Sequence, residues 1–180
     1  TVIFFDFECG VINPMKLLIV DDEKLTREGI LKSLPLEKLG IHQTFLADDG
    51  IHGLKIALKE RPDLILTDVR MPRMSGVEMA EEILKVLPNA IILFMSAYSD
   101  KEYLKAAIKL KAVSYVDKPL DMNELTEALS EGIRQYRSIY ASLNAKWMHE
   151  YNLRSQLAQL LTEADPKEQA PVIGDRKSTR

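Results

Sequence analysis

The 180-residue chain is 46% hydrophobic and 28% charged, which is enough apolar content for a sizeable core and suits one ordinary domain plus an appendage. A formal net charge of −3 gives no global pull toward nucleic acid or an anionic membrane. The single Cys9 cannot close an internal disulfide, and no apolar run approaches the roughly 18–20 residues of a bilayer span, so a soluble, cytoplasmic protein is expected.

Residues 1–14 (TVIFFDFECGVINP) mix apolar and acidic positions and lack the basic start of a signal peptide. They read as an N-terminal extension, either vector-derived or upstream-translated sequence or a functional arm. Met15 opens a regular pattern. Leu17–Val20 is a short apolar strand ending at Asp21-Asp22, followed by a helix from about Lys24 to Lys38 with Leu25, Ile30, Leu31 and Leu34 facing inward despite Pro35. Thr44–Ala47 is the second strand and Ile51–Glu60 the second helix, stopped by Arg61-Pro62.

The third strand, Leu64–Thr67, delivers Asp68 to a Pro- and Gly-containing turn. Ser75 and Glu78 then form a capping box for a helix over Gly76–Leu87 that turns Met79, Ile83 and Leu87 inward. Ala90–Met95 is a fourth strand ending at Ser96. A fourth helix is expected over Ser99–Leu110, capped by Ser99 with Glu102, then a fifth strand over Ala112–Val116 ending at Asp117-Lys118-Pro119. Asp121 caps the fifth helix, with Glu124 at its N3 position. Between Ile133 and Asp165 there is neither Pro nor Gly, and Tyr136, Tyr140, Leu143, Trp147 and Tyr151 recur at spacings of three and four. The helix is therefore expected to run to about Ala164, although Lys146 and Glu150 spoil a strict heptad. The polar tail, residues 165–180, is expected to be disordered.

Strict alternation of five strands and five helices calls for a parallel sheet covered on both faces. Right-handed crossovers place every strand's C-terminal end on one edge. That edge collects Asp21, Asp22, Asp68, Ser96 and Lys118. Each has a bland reading alone: an acidic pair often satisfies helix N-terminal amides, and Lys-Pro is usually a solvated turn. Convergence from four strands favours chemistry instead. Three crowded carboxylates repel one another unless a cation sits among them, and an open, oxygen-only site suits Mg²⁺. Asp68 can then act as a nucleophile toward a phosphoryl group, with Lys118 stabilising charge and Ser96 donating a hydrogen bond.

The motifs LLIVDDE, DLILTDVRMPRMSG, FMSA and YVDKP, in this order, resemble the receiver domain of two-component response regulators over about Met15 to Arg137. The resemblance implies a flavodoxin-like doubly wound α/β sheet of order 2-1-3-4-5, here with an extended C-terminal helix. It implies Asp68 as phosphoacceptor and Mg²⁺ bound by Asp22, Asp68 and the Arg70 backbone carbonyl, with Asp21 acting through a metal-bound water. Lys118 would contact the phosphoryl, Pro119 would follow a cis peptide bond, and Ser96 and Tyr115 would form a switch pair. Arg70 and Tyr98 occupy positions that tune dephosphorylation. The implied partners are a sensor histidine kinase and a homodimer mate, met through the face of the fourth helix, fifth strand and fifth helix or through the helical extension. No membrane partner is implied. Such a module is not an enzyme; it catalyses only its own phosphorylation and dephosphorylation.

The wording DVRMPRMSG and YVDKPLDMNEL further resembles regulators with an AraC-type helix-turn-helix output, absent from the residues after the receiver. Transcription regulation through DNA would then belong to that output. The organisation expected is an extension over 1–14, a receiver over 15–137, a helical extension or linker over 138–164 and a tail over 165–180. Trp147, Met148 and Tyr151 are apolar for a solvent-facing helix and suit either a partner surface or a self-packing hairpin. The competing reading of the whole is a dimerisation or scaffold module in which phosphorylation is incidental. Scattered His42, His52 and His149 have no ligand partners at metal spacing, and Asp49–Gly53 lacks the Lys of a phosphate-binding loop.

Overall fold

Residues 15–97 and 114–163 are described by the structure, a computed structural model. The elements are β1 (Met15–Val20), α1 (Lys24–Ser33), α2 (Leu36–Leu39), β2 (Ile41–Ala47), α3 (Gly50–Glu60), β3 (Leu64–Asp68), α4 (Gly76–Val86), β4 (Ile91–Ala97), β5 (Ser114–Lys118) and α5 (Met122–Glu163). All strand pairs are parallel, in the order β2-β1-β3-β4-β5. This is the parallel sheet expected from the alternation, in the doubly wound, flavodoxin-like order that the receiver resemblance implies. The fourth helix expected over 99–110, Tyr98, Ala112, the 1–14 extension and the tail lie outside the described residues.

Near-continuous apolar strands are what a sheet covered on both faces requires. Side chains alternate between the faces, and the two cores follow that parity. Leu17, Ile19, Leu64, Leu66, Leu93 and Met95 pack with Ile30, Leu125, Leu129 and Ile133 of α1 and α5. Leu18, Val20, Ile65, Ile92 and Phe94 pack on the other face with Ala57, Met79, Ala80 and Ile83 of α3 and α4. Burying one such Leu or Ile stabilises the fold by about 1.5–3 kcal/mol, so the sheet is rigid where its ends must hold charged groups.

Two expectations for the first helix fail. Leu25 is 84% exposed rather than inward. It lies five residues before Ile30, about 140° around a helix of 3.6 residues per turn, and so falls off the stripe made by Ile30 and Leu34. The helix also stops at Ser33 rather than Lys38, because the residue before a proline is pushed out of helical conformation. Leu34 is accordingly extended, at φ −76° and ψ 136°, and the short α2 restarts after Pro35.

The remaining boundaries move little. β2 begins at Ile41 rather than Thr44, and Arg61 closes α3 in a left-handed conformation at φ 52°. The Ser75–Glu78 capping box is present in full, and the Ser75 donors hold the Glu78 carboxyl below its usual range. The Asp121 carboxylate accepts from the Asn123 and Glu124 amides. The chain divides into two compact units, one ending at Tyr140 and one beginning at Ala141. The first holds the whole sheet. The second, over its described residues, is the distal part of α5.

Candidate functional site

Register builds the site. Val20 of β1 pairs with Thr67 of β3, so the next residues, Asp21 and Asp68, leave the sheet edge side by side. Asp68 pairs with Met95 of β4, which places Ser96 one step further along. Ala97 pairs with Lys118 of β5. The polar groups that the alternation assigned to one edge are thus brought there by adjacent strands of a single sheet.

Oxygens of Asp21, Asp22 and Asp68 lie within 4.8 Å of one another. Asp21 and Asp68 are buried while Asp22 faces solvent. The Lys118 ammonium donates to Asp21 Oδ2 at 2.9 Å and to Asp68 Oδ2 at 2.5 Å. The Arg70 amide donates to Asp68 Oδ1 at 3.2 Å, which brings the Arg70 backbone beside the carboxylate. Burial pushes the Asp68 carboxyl above its ordinary range, and the Asp21 charge adds to that; the Lys118 and Arg70 donors oppose it without cancelling it. For Lys118, burial works against the charged form, but the Asp21 and Asp68 carboxylates outweigh it and hold the ammonium above the usual lysine value. Lys118 therefore stays cationic at any physiological pH. The Lys118–Pro119 peptide bond is cis, as expected.

Ser96 is fully buried. Its hydroxyl donates to the Ala97 carbonyl at 3.0 Å and shares a short hydrogen bond with the Tyr115 hydroxyl. The ring of half-buried Tyr115 packs against the core formed with α3 and α4. The two residues named as a switch pair are therefore in contact. Tyr98 lies outside the described residues.

Several supporting groups carried no signal in the sequence. Arg27 reaches from α1 to donate to the Asp21 carbonyl at 2.5 Å, and the Glu23 amide donates to Asp21 Oδ1 at 2.8 Å. The Thr67 hydroxyl donates to the Asp68 carbonyl at 3.0 Å. Buried Asp49 caps α3 and forms an ion pair with Arg73 of the turn after β3. Only the acidic cap at Asp49 has a local pattern. The His52 ring meets Asp48 at 2.8 Å and has no part in the carboxylate cluster.

The donor set tests what the cluster can hold. Two of the three carboxylates share one ammonium, which leaves an excess of negative charge in oxygen ligands only. That composition fits a hard divalent cation such as Mg²⁺ and gives a soft metal nothing to prefer.

A family model for the response regulator receiver domain matches residues 17–130. The chain belongs to that family. Receivers are signalling modules that work with sensor histidine kinases and output domains, and they generally bind Mg²⁺ at an acidic pocket. Among relatives, the transcriptional regulatory protein HptR of Staphylococcus aureus is 36% identical over 119 residues, 66% of this chain and 46% of the relative. An uncharacterised response regulatory protein of Staphylococcus epidermidis is 35% identical over 114 residues, 63% of this chain and 45% of that one. This receiver chain thus spans less than half the length of these curated relatives.

Among solved structures, a two-component transcriptional regulator AraC from Clostridium phytofermentans is 51% identical, with a TM-score of 0.66 over 69% of this chain and 96% of the other. The receiver domain of AraT, a response regulator from Geobacillus stearothermophilus, is 30% identical, with a TM-score of 0.67 over 71% and 98%. The narrower likeness to AraC-type regulators drawn from DVRMPRMSG and YVDKPLDMNEL is borne out by these neighbours. No helix among the described residues is long and apolar enough to cross a membrane.

Proposed function

We propose that this receiver works in the cytoplasm, accepts a phosphoryl group on Asp68 from a sensor histidine kinase, and uses it to change the face formed by the helix expected over 99–110, β5 and α5. One observation carries the reading: the Asp68 carboxylate sits within 4.8 Å of two other carboxylates and is hydrogen-bonded directly to the ammonium of Lys118. In the transfer, an Asp68 oxygen attacks the phosphorus of a phosphohistidine. A P–O bond forms, the P–N bond breaks, and the imidazole leaves. Lys118, cationic throughout, lies where negative charge on the phosphoryl oxygens must be balanced. Such transfers depend mainly on positioning and electrostatics, and the rigid sheet edge provides the positioning.

Asp22, Asp68 and the Arg70 carbonyl, with Asp21 through a water, are the groups that would hold Mg²⁺, and the bound ion would neutralise phosphoryl charge. The new acyl phosphate carries about −1.5 to −2 charge. Ser96 then exchanges its Tyr115 and Ala97 partners for a phosphoryl oxygen, and the Tyr115 ring turns further inward behind it. Arg70, exposed beside the site, and Tyr98 tune access of the water that hydrolyses the acyl phosphate. The receiver proper is assigned to 15–137 and a helical extension to 138–164. Control of transcription through DNA, by an output domain joined to the receiver, is proposed on the strength of the relatives' names.

The test is chemical labelling. Purified chain with Mg²⁺ and a small phosphodonor such as acetyl phosphate should gain one phosphoryl by intact mass. Borohydride reduction and peptide sequencing should locate it at Asp68, and Asp68→Asn should gain none. A label on another residue, or no label on a folded chain, would overturn the assignment.

A further inference from the structure

The distal unit offers a surface that the phosphorylation chemistry does not use. From Leu143 to Leu161, α5 carries Leu143, Trp147, Leu153, Leu157, Leu160 and Leu161, each between 42% and 72% exposed. On a helical repeat these residues fall on one stripe, whereas Ala145, Asn152, Ser155, Gln156 and Gln159 fall on the opposite side and the exposed Met148 and Tyr151 lie off the stripe. In heptad terms Trp147, Arg154 and Leu161 occupy one core position, and Leu143, Glu150 and Leu157 the other. Glu150 and Arg154 thus interrupt the middle of an apolar seam, joined by an ion pair of 2.6 Å.

The placement of those two charges selects the occupant. In a parallel pairing with a second copy, Glu150 would face Glu150 and Arg154 would face Arg154. Reversing one helix about Asn152 brings opposite charges together. Glu150 then lies across from Arg154 of the second copy, Trp147 across from its Leu157, and Leu143 across from its Leu161. Three layers on each side of the same axis match at once, over a seam of about 27 Å at 1.5 Å per residue. A helical hairpin folded within one chain has no such self-complementary axis.

We propose that residues 143–161 pair with the same segment of a second copy of this chain, antiparallel, about a two-fold axis at Asn152. Opposite charges buried across the axis set the direction, the role best attested for polar groups in such seams. The pairing uses no group of the carboxylate cluster, so Asp68→Asn chains dimerise as the wild type does.

The full-length chain in a Cys9→Ser background tests this with two single-cysteine variants, Leu143→Cys and Leu161→Cys. Oxidising a mixture of the two should give a cross-linked dimer, while each variant oxidised alone should stay largely uncrosslinked. Cross-links within the Leu143→Cys sample alone would show a parallel pairing and overturn the proposal. Sedimentation of the unmodified chain should give a dimer, and Glu150→Arg should weaken it at least tenfold by placing arginine opposite arginine. The double variant Glu150→Arg with Arg154→Glu should restore it. A monomer at about 100 μM in the unmodified chain would also overturn the pairing. Labelling of Asp68 in every variant checks that the receiver remains folded.

Discussion

Strand β3 has a carboxylate at each end, and the two could hardly be treated more differently. Asp63, just before the strand, has each of its carboxylate oxygens taken up by a hydrogen-bond donor. Oδ2 accepts from the Lys16 amide at 2.8 Å and Oδ1 from the Tyr136 hydroxyl at 2.5 Å, and burial together with the Asp63 charge pushes the Tyr136 hydroxyl well above its usual range. Asp68, five residues on, competes with Asp21 for a single ammonium beside a third carboxylate. One end is a tie between β1, β3 and α5. The other holds charge in want of a counter-charge, and such unbalanced sites are where chemistry is found. Half-buried Asp63 has each oxygen taken up by a neutral donor, whereas buried Asp68 belongs to a cluster with more carboxylates than cations.

Substitutions at the two ends should therefore divide cleanly. The largest effect is on chemistry: Lys118→Ala should slow Asp68 labelling by about 10²–10³-fold, read from the initial rate of mass gain with acetyl phosphate. Comparable rates would mean that the ammonium serves only to offset Asp21. Next comes stability at the opposite end. Asp63→Ala leaves the Lys16 amide and the Tyr136 hydroxyl without their acceptor, and should cost about 2–3 kcal/mol in urea unfolding with Asp68 still labelled. Tyr136→Phe removes one of those bonds and should cost about 1–1.5 kcal/mol. An Asp63→Ala chain as stable as the wild type would erase the contrast.

The smallest effect is a pH dependence. Burial holds the Asp68 carboxyl above its ordinary value of 3.8, so the folded chain binds that proton more tightly than the unfolded chain does. This stabilising contribution is complete below the ordinary value and is lost as pH rises through the raised one. Without divalent metal, Asp68→Asn should thus be the more stable chain at neutral pH, with the gap closing on acidification. Thermal melts in EDTA at several pH values measure it. A wild type that stays ahead at neutral pH would show that Lys118 more than compensates the burial of Asp68.

What the sequence made legible follows from the same physics. Asp21, Asp68, Ser96 and Lys118 could be placed because each ends an apolar run, and parallel strands with right-handed crossovers bring such ends together. Asp63 could not, since its partner Tyr136 lies 73 residues away and its own neighbours are an ordinary strand entrance. Leu25 was misplaced because apolar character was read without its angle around α1. The Arg73–Asp49 pair escaped because it joins two turns, where no periodicity operates. Local pattern reports on elements; contacts between loops are set only once the elements have packed.

The turn between Asp68 and α4 has a consequence for sequence change. Gly76 sits so close to the strand end that an added Cβ would collide with the Asp68 carbonyl and crowd the Thr67 hydroxyl, at 2.7 Å. Its amide donates to the Val69 carbonyl at 3.0 Å, while the Val69 amide is tied to Met95 at 3.0 Å. The connection is thus clamped at both ends and has one permitted length. In a library of random insertions, deletions and substitutions selected for signalling, residues 69–76 should stand out as a stretch of constant length with glycine alone surviving at its last position, while the solvent-facing positions of α4 drift freely.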